Sequence, residues 1–206
     1  MRFELPKIYP ITDARISGIS IPEQVERLIA GGATLIQLRE KYSPSRDFYE
    51  SAAKAVDIAH SAGARIIIND RVDIALALKA DGVHLGQDDL PCTLARRILG
   101  DKAIIGLSTH SPEQAIAALS LPIDYIAIGP IFSTTTKDDP DPLVGLDGLT
   151  RTRRLIADFP LVAIGGIMCA NMQEVIEAGA DSAAIISDLV SDADQITLKL
   201  RGILKQ

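Results

Sequence analysis

Short apolar runs recur along the chain, and each is followed by a stretch whose apolar positions fall at helical spacing. The runs Ile8 to Thr12, Leu35 to Arg39, Arg65 to Asn69, Gly82 to Leu85, Ile104 to Leu107, Tyr125 to Ile128, Leu161 to Ile164 and Ala183 to Ile186 read as eight strands. Between the second and third, Phe48, Ala52, Ala55, Val56 and Ala59 repeat with a helical period. Ser20 with Glu23, and Ser111 with Gln114, have the spacing of a capping box, while Pro44 and Pro112 suit a first helical turn. Three helical stretches end in related phrases, Ala30-Gly31-Gly32-Ala33, Ser61-Ala62-Gly63-Ala64 and Glu177-Ala178-Gly179-Ala180, in which glycine permits a left-handed stop.

Strand, helix and glycine stop, repeated eight times, close most naturally into a parallel barrel with an outer ring of helices. The expected fold is therefore α/β, a single-domain (β/α)8 TIM barrel over residues 1–206 with its active site at the C-terminal ends of the strands. An open doubly wound sheet is the alternative, and the first strand lacks the glycine-rich turn of a dinucleotide site.

Composition narrows the possibilities. At 206 residues, 47% of them hydrophobic, the chain can bury a large core in one domain without staples. A net charge of −6 argues against a general nucleic-acid binder. Cys92 and Cys169 give neither a disulfide framework nor metal-ligand spacing. Charges at Arg2, Glu4 and Lys7 stand where a signal peptide needs an apolar block, and no run is long enough to span a bilayer. The expectation is a cytoplasmic enzyme with small-molecule partners and no nucleic acid or membrane, with homo-oligomerisation left open.

Candidate chemistry collects after the strands. Gln37, Arg39 and Lys41 share one parity and turn inward together, while Leu38 packs against helices. Asn69-Asp70 follows three isoleucines, and Asp88-Asp89 ends the next strand region, so neighbouring strands bring carboxylates to one rim. Carboxylates beside cations suit a magnesium ion that keeps its waters and bridges phosphates, although Asp88 or Asp89 could instead cap the helix that follows Pro91. Ser108 reads as a phosphate hydrogen-bond donor, His84 and His60 as packing or surface residues, and His110 stays open. The polar loop from Gly129 to Lys137, with Ser133, Thr134, Thr135 and Thr136, suits a phosphate ester, as do the glycines of Gly165-Gly166 and the hydroxyl of Ser187.

Taken together, Gln37 to Lys41, Asn69-Asp70, the run His84 to Asp89, Gly106 to His110, Gly129 to Lys137, Gly165-Gly166-Ile167 and Ile186-Ser187 resemble the thiamine phosphate synthase family over nearly the whole chain. The resemblance implies a barrel enzyme that transfers a pyrimidine methyl group from its diphosphate to the nitrogen of a thiazole phosphate, releasing pyrophosphate. It implies that Gln37, Leu38, Arg39, Glu40, Lys41, Asn69, Ser108 and Lys137 bind the pyrimidine diphosphate, with Arg39, Ser108 and Lys137 catalytic. Asp70 and Asp89 would bind Mg2+, and Thr134, Thr135, Thr136, Gly166, Ile186 and Ser187 the thiazole phosphate. Ser133 stands where the family loop usually has proline, and Asp88 where it usually has glutamate; neither removes a proposed ligand. The alternatives are a thiazole tautomerase-like isomerase and a non-catalytic barrel that binds phosphate ligands.

Overall fold

Inward and outward side chains alternate along every strand of the barrel, and that alternation sorts the chain into two cores. The computed structural model describes residues 3–134 and 141–205. Within them lie β1 (Ile8–Pro10), β2 (Leu35–Leu38), β3 (Arg65–Asn69), β4 (Gly82–Leu85), β5 (Ile104–Thr109), β6 (Tyr125–Ile128), β7 (Leu161–Ala163) and β8 (Ser182–Ile185), which coincide with the eight expected runs apart from their end residues. The strands pair in parallel in the order β1-β8-β7-β6-β5-β4-β3-β2. A parallel bridge between Ile11 and Gln37 joins the two ends, and the Thr12 N–H donates to the Gln37 carbonyl at 2.9 Å, so the ring closes. That closure overturns the open-sheet alternative.

On β3, Ile66 and Ile68 point outward into the layer beneath the helices, and Ile67 points inward to meet Tyr9, Leu35 and Tyr125. Leu38, Val83, Leu85 and Ile105 join the outer layer fully buried. Each such aliphatic side chain contributes about 1.5–3 kcal/mol relative to exposure, so the helix–strand layer dominates the stability of the fold.

The expected punctuation is largely present. Ser20 and Ser111 cap their helices, accepting from the Glu23 and Gln114 N–H groups at 3.4 and 3.2 Å. Their partners do not complete reciprocal boxes: Glu23 pairs with Arg27, and Gln114 accepts from the His110 N–H. Pro44 lies one position before its helix, Ser45–Ser61, rather than inside it. Gly32, Gly63 and Gly179 take positive φ at the three predicted stops. Two short helices, Ala14–Ser17 and Ser187–Val190, follow β1 and β8 directly and were not anticipated.

A repeated device pins the N-terminal end of the barrel. The aspartates that precede β4, β6 and β8 each accept a strand N–H from the odd-numbered neighbour: Asp81 from Ile66, Asp124 from Ile105 and Asp181 from Leu161, all at 2.8 Å. Each carboxylate also meets a helix side chain, His60, Arg96 or Arg153 respectively. No helix among the described residues is long and apolar enough to cross a membrane.

Two glycines should respond in opposite directions to an added methyl group. A Cβ on Gly106 would strike the Tyr125 ring and stand 2.5 Å from His84 Nδ1, so Gly106→Ala should cost about 1–3 kcal/mol. Gly202, in the helix Ile196–Ile203, has nothing within 4 Å of such a Cβ; Gly202→Ala should stabilise by about 0.4–1 kcal/mol. Urea unfolding of both variants checks the pair.

Candidate active site

The C-terminal ends of the strands surround a cavity of about 510 Å³. Gln37, Arg39, Lys41, Asn69, Asp70 and Asp89 line it on one side. Ser108, Thr134, Gly166, Ile186 and Ser187 complete the ring, and Ile11, Ile164 and Ala184 contribute apolar surface. Thr135, Thr136 and Lys137 lie outside the described residues.

On the β2 side, Gln37 and Arg39 turn inward as their parity requires, but the two cations are not waiting for an anion. Arg39 donates through Nη1 to Asp13 Oδ2, a pair with side chains only 14% and 7% exposed. Asp13 is buried at the end of β1, where its Oδ1 also accepts from the N–H groups of Arg15 and Ile16 at 3.1 and 3.2 Å and so starts the short helix Ala14–Ser17. This carboxylate escaped the sequence reading; its position after β1 was the available signal. Lys41 donates to Asp70 Oδ2 in the same manner. Each of the two rim cations therefore already has a carboxylate partner.

Two residues of the same stretch stand apart from the cavity wall. The Leu38 side chain is fully buried in the outer core, so only its backbone faces the rim. Glu40 turns back on its own loop and accepts from the Tyr42 and Ser43 N–H groups at 2.7 and 3.0 Å. Burial pushes its carboxyl up, and these hydrogen bonds more than offset that, leaving it below its ordinary range.

Asp70 adopts φ 61, a backbone region rarely taken by residues other than glycine, and this turns its carboxylate toward Asp89. The Asp89 carboxyl is pushed up, first by burial and then by the charge of Asp70 beside it, while the Gly86 N–H donating to its Oδ2 at 2.6 Å opposes the shift. Neither Asp88 nor Asp89 caps the following helix, Cys92–Leu99, whose N-cap is Pro91 with no side-chain hydrogen bond. Among the described residues no three His, Cys, Asp or Glu side chains converge as a complete cage. Two adjoining carboxylates, one destabilised as an anion by the other, nonetheless fit a divalent cation that keeps several waters. Next to them Asn69 is 7% exposed, and its Nδ2 has no hydrogen-bond partner among the described residues.

Across the cavity, the loop after β6 is stitched to the loop after β7: Ile131 N–H donates to Ile164 O at 3.0 Å and Phe132 N–H to Gly165 O at 2.9 Å. A Cβ on Gly166, at φ 63, would meet the Ser133 carbonyl oxygen 2.5 Å away and the Phe132 backbone at 2.8 Å, so only glycine lets the loops approach. Asp188 then ties the loop after β7 to the short helix after β8, accepting from the Cys169 N–H at 2.8 Å. His110 Nδ1 sits 2.9 Å from the Gly129 carbonyl oxygen and 3.3 Å from Asp141, facing the loop rather than a metal.

The thiamine monophosphate synthase family model matches residues 8–189. The chain belongs to that family. Among fellow members, the thiamine-phosphate synthase of Chloroflexus aurantiacus is 46% identical over 198 residues, covering 96% of this chain and 90% of the relative. That of Syntrophomonas wolfei is 46% identical over 199 residues, covering 95% of each. A solved structure, thiamine phosphate pyrophosphorylase from Pyrococcus furiosus, superposes with a TM-score of 0.85 at 37% identity, covering 97% of this chain and 95% of that one. The family resemblance read from the sequence, and the barrel it implies, are both borne out.

His84 supplies a pH test of this family member's site. Burial, with Lys41 nearby and Asp89 opposing, pushes its imidazole from the ordinary 6.5 down to about 4. The unfolded chain takes up this proton first, so stability should fall as pH drops from about 6.5 to about 4, by roughly 3 kcal/mol at most. Unfolding midpoints across that range should fall less steeply in His84→Gln than in the wild type.

Proposed function

We propose that this chain is a magnesium-dependent thiamine phosphate synthase acting in the cytoplasm as a single catalytic domain. Its substrates are the diphosphate of hydroxymethylpyrimidine and a thiazole phosphate. The observation that carries the reading is the two-sided cavity: Asp70, Asp89, Arg39 and Lys41 on one side, and the close-packed glycine loop with Ser187 on the other. A diphosphate fits the first side and a monoester the second. An isomerase of one ester has no use for paired carboxylates, and a silent barrel needs neither those nor the cations.

In the reaction, the bond between the pyrimidine methylene carbon and the diphosphate oxygen breaks, and its electron pair leaves with pyrophosphate. The thiazole nitrogen then donates its lone pair to the methylene carbon. Arg39, Lys41 and Lys137 stabilise the charge that develops on the leaving group, and Ser108 and Asn69 orient it by donating hydrogen bonds. Thr134, Thr135, Thr136, Gly166, Ile186 and Ser187 hold the thiazole phosphate so that its ring nitrogen faces the methylene carbon. Asp70 and Asp89 would hold magnesium, which when bound supplies positive charge next to the diphosphate oxygens. A protein nucleophile is not required. Consistent with that, burial and the neighbouring Asp188 push the Cys169 thiol up to about 12, and burial raises Cys92 as well.

Incubation of the pure protein with both substrates and magnesium should yield thiamine phosphate and pyrophosphate in equal amounts. Binding of both rings without pyrophosphate release would sink the reading. Asp70→Ala and Lys137→Ala should each lower turnover by about 10²–10³ at saturating magnesium, whereas near-wild-type turnover in both would remove the charge clamp.

A further inference from the structure

A polar chain crosses the upper interior of the barrel from β2 to β5. Gln37 Nε2 donates to the Tyr9 hydroxyl at 3.2 Å. The Tyr9 and Tyr125 hydroxyls stand 3.0 Å apart, the Tyr125 hydroxyl lies 2.9 Å from His84 Nδ1, and His84 Nε2 lies 2.8 Å from Ser108 Oγ. Gln37, His84 and Ser108 line the cavity, while the two tyrosines between them are sealed, Tyr9 at 1% and Tyr125 at 0% exposure. The His84 and Tyr125 rings stack at 5.5 Å and 22°, over the space left by Gly106.

We propose that this chain has one proton direction, from Gln37 to Ser108, and that Tyr9, Tyr125 and His84 are positioning residues that make Ser108 a hydrogen-bond donor to the substrate. A phenol has one hydrogen to give, and no water reaches the two sealed hydroxyls to supply another. The Gln37 amide occupies Tyr9 as an acceptor, so the Tyr9 hydrogen goes to Tyr125 and the Tyr125 hydrogen to His84 Nδ1. The neutral imidazole then carries its proton on Nε2 and donates it to Ser108 Oγ, which leaves the serine hydrogen for the cavity. An independent argument agrees. Phenol O–H is more acidic than a neutral imidazole N–H, and an imidazole nitrogen is the better acceptor, so Tyr125 donates to His84 in preference to the reverse. With 6% exposure or less, all three middle groups sit where a charge would be costly.

The opposite direction would give a different chemistry. Tyr9 would donate to the Gln37 amide oxygen, His84 would carry its proton on Nδ1, and its Nε2 would accept from Ser108, as a base accepts from a serine nucleophile. Direction therefore separates a serine that steadies a leaving group from one that attacks. The inference rests on the proposed synthase reaction only for the identity of the substrate; the direction belongs to the protein alone.

Nuclear magnetic resonance of the full chain with 15N-labelled histidine, in the absence of substrates, reads the His84 tautomer directly, with His84→Gln assigning the signal. The expected result is a proton on Nε2 and none on Nδ1. A proton on Nδ1, or a mixture of the two forms, overturns the proposal. In Tyr125→Phe the tautomer should become mixed and kcat should fall about tenfold with little change in KM, while Gln87, donating to the Ser108 carbonyl at 2.6 Å, still holds the serine backbone. An unchanged tautomer or an unchanged kcat in that variant also overturns it. A wild-type protein with the Nε2 tautomer and no synthase activity would count against the function and leave the direction standing.

Discussion

A closed barrel gives an inward-facing polar side chain no lateral route to water, so the groups inside it must satisfy one another or face the open end. That constraint shapes the upper half of this molecule. Below, Leu35, Ile67, Ile104 and Val162 fill the interior with apolar volume. Above, Gln37, Tyr9, Tyr125, His84 and Ser108 each find a partner within the ring. Asn69 is the buried side chain of this layer whose nitrogen finds none among the described residues, and it stands beside the carboxylates.

The same logic governs charge at the rim. Arg39 and Lys41 sit where an anion would be welcome, yet each is matched by an aspartate. Such matching keeps both cations tolerable, because a half-buried ion without a partner is far costlier than a paired one. On the proposed reading, an anion bound at Arg39 would compete with Asp13, and a cation bound at Asp70 would compete with Lys41. Each half of the clamp thus already holds one charge of either sign.

Most of the architecture was legible because period-two strands and glycine stops are local signals. The eight strand runs, the inward parity of Gln37 and the outward parity of Leu38 all followed from alternation. The site was legible where polar residues directly follow strands, as at Asn69-Asp70 and Ser108. It was not legible where function depends on a partner far away in sequence. Asp13 looks like a turn residue until Arg39 is placed over it, 26 residues on. Tyr9 and Tyr125 lie unremarked inside strand runs, and His84 reads as a packing or surface residue; what the pattern hid is that three strands bring their polar atoms into one line. Their parity matches that of Gln37 and Ser108, which was the signal available. The loop reading at Thr135, Thr136 and Lys137 falls on residues the structure does not describe.

The aspartates before β4, β6 and β8 rivet three pairs of staves together at the closed end of the cask. The seam between β1 and β2, which meet through a single bridge, is fastened at the other end, where Asp13 reaches Arg39. The seam of the cask is therefore latched at its open end, by a guanidinium and a carboxylate rather than by a strand N–H at the closed one.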